Sequence, residues 1–195
     1  TSALKTRLPS VGEFSMPEGI AGKGFAAGRH TPSMKRERST NEAVQIGVIS
    51  DTHGLLRPEA VEALAGVDLI VHAGDIDAPA VIETLKQTAP VHAVRGNMDF
   101  GPLIGGLYET AVVEAGGRML YVLHDLHRLD LDPAAAGFDA VIFGHSHRPH
   151  LEKKSGVLYV NPGSAGPRRF GKPVSVARIT VDNGRLSARI VELDV

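Results

Sequence analysis

The sequence predicts an α/β fold with two packed sheets and helices on the outside, and two patterns lead to this prediction. Between residues 44 and 94, short β-branched runs alternate with helix-like segments, which is typical of a parallel sheet. From residue 111 onwards, strand-like runs follow one another with few helical segments between them, which indicates mixed strand pairing. We therefore expect the domain to cover residues 44–195.

The first part of this region contains three predicted strands and two predicted helices. Pro58 and Pro79 mark the helix starts, because N–H groups in the first turn of a helix have no intrahelical partner and proline loses nothing there. In chain order the elements are a strand at Val44–Ser50, a helix at Pro58–Leu64, a strand at Leu69–Ala73, a helix at Pro79–Thr88 and a strand at Val91–Val94.

Six further strands are predicted in the second part. The last two are joined by Asp182-Asn183-Gly184, in which Asn-Gly supplies the positive φ angles of a tight hairpin turn. The six runs are Ala111–Glu114, Met119–Leu123, Ala140–Phe143, Val157–Val160, Val174–Val181 and Leu186–Leu193.

Residues 1–43 differ in composition from the rest of the chain. They carry seven basic and four acidic side chains, and glycine and proline interrupt them so often that no apolar run or period remains. Such a segment cannot bury enough apolar surface to offset its ordering entropy, so we expect a disordered or loosely docked tail. A basic arm that contacts a partner is the alternative.

The composition excludes several classes of protein. The 195 residues include no cysteine, which rules out disulfides, thiolate zinc sites, iron–sulfur clusters and cysteine nucleophiles. No apolar run approaches the roughly 18 residues that cross a bilayer, and no secretory signal core occurs, so we expect a cytoplasmic protein with no membrane contact. The net charge of -1 argues against a protein that coats nucleic acid. Eight of the nine histidines follow residue 50, so any metal would be held by imidazole and oxygen.

Polar side chains follow five of the predicted strands, at the point where each strand ends. The carboxyl edge of an open α/β sheet is where loops converge and ligands bind. Taken singly, each polar residue is explained by a helix cap, a turn or a core histidine, but five such ends in one chain favour a metal site. The candidate residues are Asp51, His53, Asp75, Asn97, His124, His145 and His147.

These seven groups exceed the need of a single metal ion. One zinc ion takes four protein ligands in a structural site and three in a catalytic site, whereas seven groups with one bridging carboxylate suit two ions. Two divalent ions about 3.5–4 Å apart suit phosphoester hydrolysis, because they lower the pKa of a bridging water and stabilise the attacking and leaving oxygens.

The chain resembles the calcineurin-like metallophosphoesterase superfamily in the order of its motifs, which read D-x-H, G-D, G-N-x-D, H and G-H-x-H. The likeness is strongest to the small single-domain bacterial and archaeal phosphodiesterase branch, which also contains the retromer scaffold subunit. It extends over about residues 44–194 and includes Asn161-Pro162-Gly163-Ser164 after the Val157–Val160 strand. The resemblance implies an αββα sandwich of two mainly parallel or mixed sheets flanked by helices.

The resemblance also implies which residues hold which metal. A first ion would be held by Asp51, His53 and His147. Asp75 would bridge to a second ion, whose site is completed by Asn97, His124 and His145. Family members work with Mn²⁺, Fe, Zn²⁺, Ni²⁺ or Mg²⁺, and a ligand set without thiolate fits such cations. Our first choice for activity is Mn²⁺.

The activity implied by the resemblance is phosphoester hydrolysis, with a phosphodiester as the first choice of substrate. A metal-bridging hydroxide would attack phosphorus in line, without a covalent enzyme intermediate. Asn97 and Arg95 would act with the metals, which stabilise the negative charge that develops on the phosphoryl oxygens. Arg95 stands where relatives with an R-G-N-H-E motif place a phosphate-contacting arginine, and a surface salt bridge is the alternative.

The chain departs from the family pattern at two positions. Met98 stands where larger relatives carry a catalytic histidine inside G-N-H-[DE], and it can neither donate a proton nor ligate a hard cation. Many relatives read H-G-H or H-G-D where this chain reads His124-Asp125-Leu126-His127. His127 is a candidate for the missing acid or for a phosphate contact, and an exposed residue at a helix start is the alternative. Without a strong general acid, substrates with good leaving groups would be favoured.

Two other functions compete with the phosphodiesterase. One is a non-catalytic scaffold, as in the retromer subunit, since a fold does not settle function; the full set of candidate ligands favours the enzyme. The other is a nuclease, which needs an extended basic groove, so we do not expect nucleic acid as a partner. We expect a small phosphoester substrate, and the sequence leaves a homo-oligomer open.

Overall fold

The computed structural model describes residues 42–101, 106–169 and 171–195. Within these ranges the chain forms two five-stranded β-sheets. The alternation predicted early in the domain is present as β1 (Val44–Ile49), α1 (Pro58–Ala63), β2 (Leu69–His72), α2 (Pro79–Leu85) and β3 (Val91–Ala93). The later strands are β4 (Thr110–Ala115), β5 (Arg118–Leu123), β6 (Ala140–Ile142), β7 (His150–Lys154), β8 (Val157–Asn161), β9 (Ser175–Asp182) and β10 (Arg185–Glu192). The tail predicted at residues 1–43 lies, except for its last two residues, outside the described part of the chain.

The first sheet has the order β10-β9-β1-β2-β3. Strands β1, β2 and β3 pair in parallel, as the alternation predicts, because each intervening helix returns the chain to the same end of the sheet. Strand β9 pairs antiparallel with β1 and with β10. The turn of this last hairpin holds Asn183 and Gly184 at φ angles of 45° and 73°, which confirms the predicted turn. The carboxyl ends of β1, β2 and β3 therefore meet at one edge.

The second sheet has the order β4-β5-β6-β8-β7 and is mixed, as predicted. Its central strands β5, β6 and β8 are parallel, whereas β4 and β7 pair antiparallel at the two edges. Strand β7 was not predicted, because all five of its side chains are exposed. A strand of this kind shows no alternation of apolar and polar residues, and its polar, charged surface suits an edge position.

The main hydrophobic core lies between the two sheets. Its buried side chains include Ile46 and Val71 from the first sheet and Leu120, Val122 and Ile142 from the second. Burial of each large aliphatic side chain stabilises the fold by about 1.5–3 kcal/mol, so this layer fixes the two carboxyl edges relative to each other. The polar residues that follow the strands are held by this rigid support.

The outer faces of the sandwich are covered differently. Both α-helices pack on the first sheet, where Leu64 of the α1 end and Leu85 of α2 join one buried cluster with Ile49 and Ile70. The second sheet is covered in the described residues by a short 3-10 helix at Leu126–Arg128 and the loop after it. Within the described ranges, no helix is long and apolar enough to span a membrane.

Candidate metal centre

Three loops that follow β1, β2 and β6 meet where the carboxyl edges of the two sheets come together. The backbone N–H of Asp51 donates to the carbonyl of Gly74, and that of His53 donates to the carbonyl of Asp75, each at 3.0 Å. The backbone N–H of His145 donates to the carboxylate of Asp51 at 3.2 Å. The loops of both sheets are therefore joined by direct hydrogen bonds at this edge.

A first group of metal-ligating atoms comes from Asp51, His53 and His147. One potential ligand atom from each lies within 4.8 Å of the others. His147 Nε2 lies 3.3 Å from Asp51 Oδ1 and 3.4 Å from His53 Nε2. His53 Nδ1 is hydrogen-bonded to the carboxylate of Asp77 at 3.0 Å, which orients the ring so that Nε2 faces the group.

A second group shares Asp51 and adds Asp75 and His124, again with one ligand atom from each within 4.8 Å of the others. All three side chains are buried. His124 Nδ1 donates to the carbonyl of Ala73 at 2.7 Å, so Nε2 carries the lone pair when the ring is neutral, and it lies 3.4 Å from Asp75 Oδ2. Asp75 Oδ2 also lies 3.9 Å from His53 Nε2, so this carboxylate faces both groups.

Asn97 and His145 extend the second group toward solvent. Asn97 Oδ1 lies 3.1 Å from His124 Nε2 and 3.0 Å from His145 Nδ1. All seven residues predicted as metal ligands are therefore brought together by this edge of the sandwich.

The donor set fits divalent cations. Two buried carboxylates and four imidazole rings converge from separate loops, and burial of such groups costs several kcal/mol each unless they are paired or bind a metal. Imidazole and carboxylate suit Mn²⁺, Fe²⁺, Ni²⁺ and Zn²⁺. Because the two ligand groups overlap at Asp51, two neighbouring ions fit the arrangement better than one.

The backbone at this edge is strained. Eight non-glycine residues in the described ranges have a positive φ, and six of them lie in the loops after β1, β2 and β6. A left-handed backbone costs of order 1–3 kcal/mol for such a residue and is held at functional sites by the surrounding structure. The six residues are Asp51 (54°), His53 (47°), Asp75 (55°), Asp77 (63°), His145 (68°) and His147 (54°).

Asp75 and His124 stabilise each other's charged forms. Burial by itself would raise the pKa of Asp75 and lower that of His124, but their hydrogen bond and opposite charges outweigh burial. The pKa of Asp75 therefore lies below its ordinary value and the pKa of His124 above it. In the charged form of His124 the Nε2 atom carries a proton, which a cation that binds there must displace. Metal affinity should therefore rise with pH.

Asp99 holds two of the loops in place. Its carboxylate accepts four backbone hydrogen bonds, from the N–H groups of Asp75 (3.1 Å), Ile76 (2.8 Å), Asp77 (2.8 Å) and Gly96 (2.7 Å). The side chain is only 2% exposed. The sequence marks Asp99 only as the last residue of G-N-x-D, and its reach to residues 75–77 depends on the tertiary fold.

Gly96 lies against the carboxylate of Asp75. A Cβ atom at this position would lie 2.0 Å from Asp75 Oδ1 and 2.3 Å from Asp75 N, so an alanine must displace the predicted bridging ligand. We expect Gly96→Ala to weaken Mn²⁺ binding by about ten- to a hundredfold, the range for a disturbed ligand environment, when measured by titration calorimetry. Gly106→Ala is the matched control, because a Cβ there meets nothing within 4 Å; equal affinity of the two variants would contradict this role.

His72 is fully buried beneath the first loop and joins it to the second. The backbone N–H of Gly74 donates to His72 Nδ1 at 3.3 Å, so Nε2 carries the proton and donates to Thr52 Oγ1 at 3.1 Å. The Thr52 hydroxyl in turn donates to the carbonyl of Ile76 at 3.3 Å. Burial lowers the pKa of His72 from 6.5 to about 4, even though Asp99 and Asp51 nearby oppose the shift. These hydrogen bonds require the neutral form of His72, because Nδ1 must accept from the backbone N–H of Gly74.

The depressed pKa of His72 predicts a pH-dependent stability. Between pH 6.5 and about 4 the unfolded chain binds a proton at this position and the folded chain does not, so the free energy of unfolding falls as the pH falls through this window, by about 3 kcal/mol in total. Gln keeps a donor near the position of Nε2 but does not titrate. In His72→Gln the free energy of unfolding should therefore depend less on pH. Urea unfolding at pH 4.5 and pH 7 measures the change in the free energy of unfolding between these pH values. An equal change in the parent and in His72→Gln would contradict the prediction.

The segment Asn161–Ser164 supports the loops from behind. Asn161 Nδ2 donates to the carbonyl of Gly144 at 2.7 Å and to Ser146 Oγ at 3.2 Å. Ser164 Oγ donates to the carbonyl of Asp51 at 3.0 Å. This strand end therefore holds both the loop after β6 and the loop after β1, which carry predicted metal ligands.

A cleft of about 540 Å³ opens beside Asn97, His124 and His145. Arg95 lines this cleft and forms an ion pair with Glu109, as in the salt-bridge alternative, and its contact with phosphate stays a prediction. Arg128 Nη2 donates to the other oxygen of Glu109 at 3.1 Å. The hydrogen bond from Arg95 and the charges of both guanidinium groups lower the pKa of Glu109.

His127 and Met98 differ in their relation to the site. His127 lies exposed in the 3-10 helix, its backbone N–H donates to Asp125 Oδ1 at 3.0 Å, and its side chain is not among the groups that line the cleft. Its part in catalysis stays a prediction. Met98 contributes its backbone N–H, which donates to Asp75 Oδ1 at 2.9 Å.

The family of this chain follows from its sequence match. The model of the calcineurin-like phosphoesterase superfamily domain matches residues 44–184. A probable metallophosphoesterase of Methanocaldococcus jannaschii is 32% identical over 189 residues, which cover 91% of this chain and 97% of the relative. The chain belongs to the calcineurin-like phosphoesterase superfamily, which confirms the resemblance seen in its motifs.

Two further comparisons concern activity and fold. A phosphodiesterase of Methanocaldococcus jannaschii is 28% identical over 139 residues, which cover 62% of this chain and 83% of the relative. The solved structure of Vacuolar Protein Sorting 29 from Cryptosporidium parvum matches with a TM-score of 0.63 at 21% identity, and covers 77% of this chain and 98% of that one. The predicted metallophosphoesterase fold is confirmed.

Proposed function

We propose that this protein is a metal-dependent phosphodiesterase that hydrolyses a small phosphoester in the cleft beside Asn97, His124 and His145. The observation that carries the proposal is the pair of overlapping ligand groups, which share Asp51, together with the cleft that His124 of the second group lines. A relative named as a phosphodiesterase supports the choice of a diester.

Two divalent ions would be held by the seven converging residues, with Asp51, His53 and His147 at one ion, Asn97, His124 and His145 at the other, and Asp75 shared by both. When bound, such ions supply Lewis-acid stabilisation of phosphoryl oxygens and lower the pKa of a coordinated water to near neutrality. We propose Mn²⁺ as the activating ion; Fe²⁺, Zn²⁺, Ni²⁺ and Mg²⁺ are the alternatives to be compared with it.

The protein's own groups position the substrate and balance its charge. Arg95 at the cleft wall has guanidinium donors that can contact a phosphoryl oxygen, in a geometry that suits two parallel hydrogen bonds. Met98 offers no acid to the leaving oxygen, so diesters with acidic leaving groups should react fastest. Asp99 and His72 contact the loops that carry the ligands, and act by positioning them.

A non-catalytic scaffold is the second candidate, because the fold is shared with Vacuolar Protein Sorting 29. The complete set of candidate ligands and the adjoining cleft favour the enzyme. A scaffold needs neither a cleft next to the metal residues nor a guanidinium group in its wall.

Hydrolysis of paired test esters separates the two candidates. We expect turnover of bis(p-nitrophenyl) phosphate at a higher kcat/KM than of p-nitrophenyl phosphate, with Mn²⁺ giving the highest rate among the five ions. A preference for the monoester would contradict the choice of a diester. Bound metal with no turnover of either ester would support the scaffold.

A further inference from the structure

We propose that Arg128, held beside Arg95 by their shared partner Glu109, provides a second anion-binding subsite that selects phosphodiesters carrying an additional phosphate group. This inference rests on the proposed function, since the subsite lies in the wall of the same cleft. We refer to the three residues as the arginine clamp.

The arginine clamp is assembled from three separate segments. Arg95 follows β3, Glu109 precedes β4 and Arg128 ends the 3-10 helix after β5. The backbone N–H of Arg95 donates to the carbonyl of Tyr108 at 2.9 Å, which fixes the first two segments against each other. Arg95 and Arg128 then bind opposite oxygens of the one Glu109 carboxylate.

The clamp has unused capacity for an anion. Two guanidinium groups face one carboxylate, so the cluster carries a net charge of +1. Each guanidinium has five N–H donors, and Glu109 accepts from one nitrogen of each. The side chains of Arg95 and Arg128 are 35% and 67% exposed, so a ligand in the cleft can reach the remaining donors.

The chemistry of the clamp suits a phosphate group. Guanidinium donors match the oxygens of phosphate in parallel pairs. Three other carboxylates, Asp99, Asp125 and Asp130, also line the cleft, so selection would come from directed donors and not from a generally cationic surface. Asp125 is occupied in part by the backbone N–H of His127.

The position of the clamp defines the substrate class. Asn97, His124 and His145 line the cleft together with the clamp, the half-buried ring of Tyr121 and the exposed ring of Phe100. Its volume of about 540 Å³ accommodates more than the scissile group. We infer a diester with an organic group between the scissile phosphorus and a second phosphate.

A pair of substrates that differ only in the second phosphate tests this inference. The p-nitrophenyl ester of thymidine 5′-phosphate is compared with the same ester carrying a 3′-phosphate. We expect the parent to prefer the phosphorylated ester, and Arg128→Ala to lower the ratio of the two kcat/KM values by about tenfold or more, as expected for the loss of a charge-assisted hydrogen bond. Arg189→Ala, an exposed arginine on the edge strand β10, should leave the ratio as in the parent.

Glu109→Gln gives a test of the opposite sign. The amide keeps the shape of the side chain but removes the charge that competes with the ligand phosphate, so the selectivity ratio should rise severalfold. A merely structural ion pair would predict a loss of stability in both variants with no change in the ratio. An unchanged ratio in Arg128→Ala, or a lower ratio in Glu109→Gln, would overturn the inference.

Direct binding separates failure of the subsite from failure of the proposed activity. Calorimetry with Mn²⁺-loaded protein compares thymidine 3′,5′-bisphosphate with thymidine 5′-phosphate and needs no turnover. Tighter binding of the bisphosphate that is lost in Arg128→Ala, without hydrolysis of either ester, would support the subsite and contradict the phosphodiesterase. Turnover of both esters with no preference in the parent would contradict the subsite alone.

Discussion

Replacing His145 with alanine is expected to lower phosphodiester hydrolysis by on the order of a thousandfold or more, and Asp75→Ala to do the same. Asp75 belongs to the second ligand group and His145 extends it, and in the proposal both hold a metal. Loss of a supporting residue alone costs 10–100-fold in metal sites, and loss of a ligand should exceed this. The measurement is kcat/KM for bis(p-nitrophenyl) phosphate at saturating Mn²⁺.

The surface histidine on β7 provides the matched control. His145 and His150 are both exposed, so either alanine variant should change the free energy of unfolding by no more than about 0.5 kcal/mol. His150→Ala, on an edge strand away from the cleft lining, should retain the parent rate. Near-parental activity of both His145→Ala and Asp75→Ala would show that the site is assigned to the wrong residues.

Asp99→Ala is expected to give the largest loss of stability among the variants considered. The substitution leaves four backbone N–H groups without their carboxylate partner, and three of these are from residues 75–77. Hydrogen bonds to a charged group contribute about 1.5–3 kcal/mol each, and breaking a buried network of this kind costs about 4 kcal/mol or more. We expect this loss in the free energy of unfolding from urea titration.

Asp99→Asn separates the charge of this residue from its shape. One amide oxygen can still accept from Ile76 and Asp77, but the amide NH₂ would face the donors of Asp75 and Gly96. We therefore expect Asn to retain part of the stability and to weaken Mn²⁺ binding, since the Asp75 loop shifts. If both variants kept the stability and the metal affinity of the parent, Asp99 would not be the residue that holds these two loops in place.

The arrangement of strands and ligands could be predicted because the signals are local. Each proposed ligand follows a strand whose β-branched run is visible in the sequence, as with Asp51 after Val44–Ile49 and His145 after Ala140–Ile142. In a parallel sheet, a polar residue at a strand end falls at the ligand-binding edge. Chain order and strand direction are enough to bring such residues together.

Other features could not be predicted, because they depend on contacts between distant segments. Asp99 binds Ile76 over 23 positions of sequence, and Glu109 meets Arg128 over 19 positions. The left-handed backbone at Asp51 and His147 occurs at residues other than glycine, so the sequence carries no local sign of it. Strand β7 was missed because its exposed side chains follow no apolar pattern.

The most direct test is a titration of Mn²⁺ into chelator-treated protein with the rate of bis(p-nitrophenyl) phosphate hydrolysis measured at each step. The two overlapping ligand groups predict that the rate rises with added ion and levels off near two equivalents per chain. A rate of hydrolysis that is already maximal without added ion, and that chelator does not lower, would contradict the metal-dependent phosphodiesterase. Binding of Mn²⁺ with no hydrolysis at any ratio would contradict it equally.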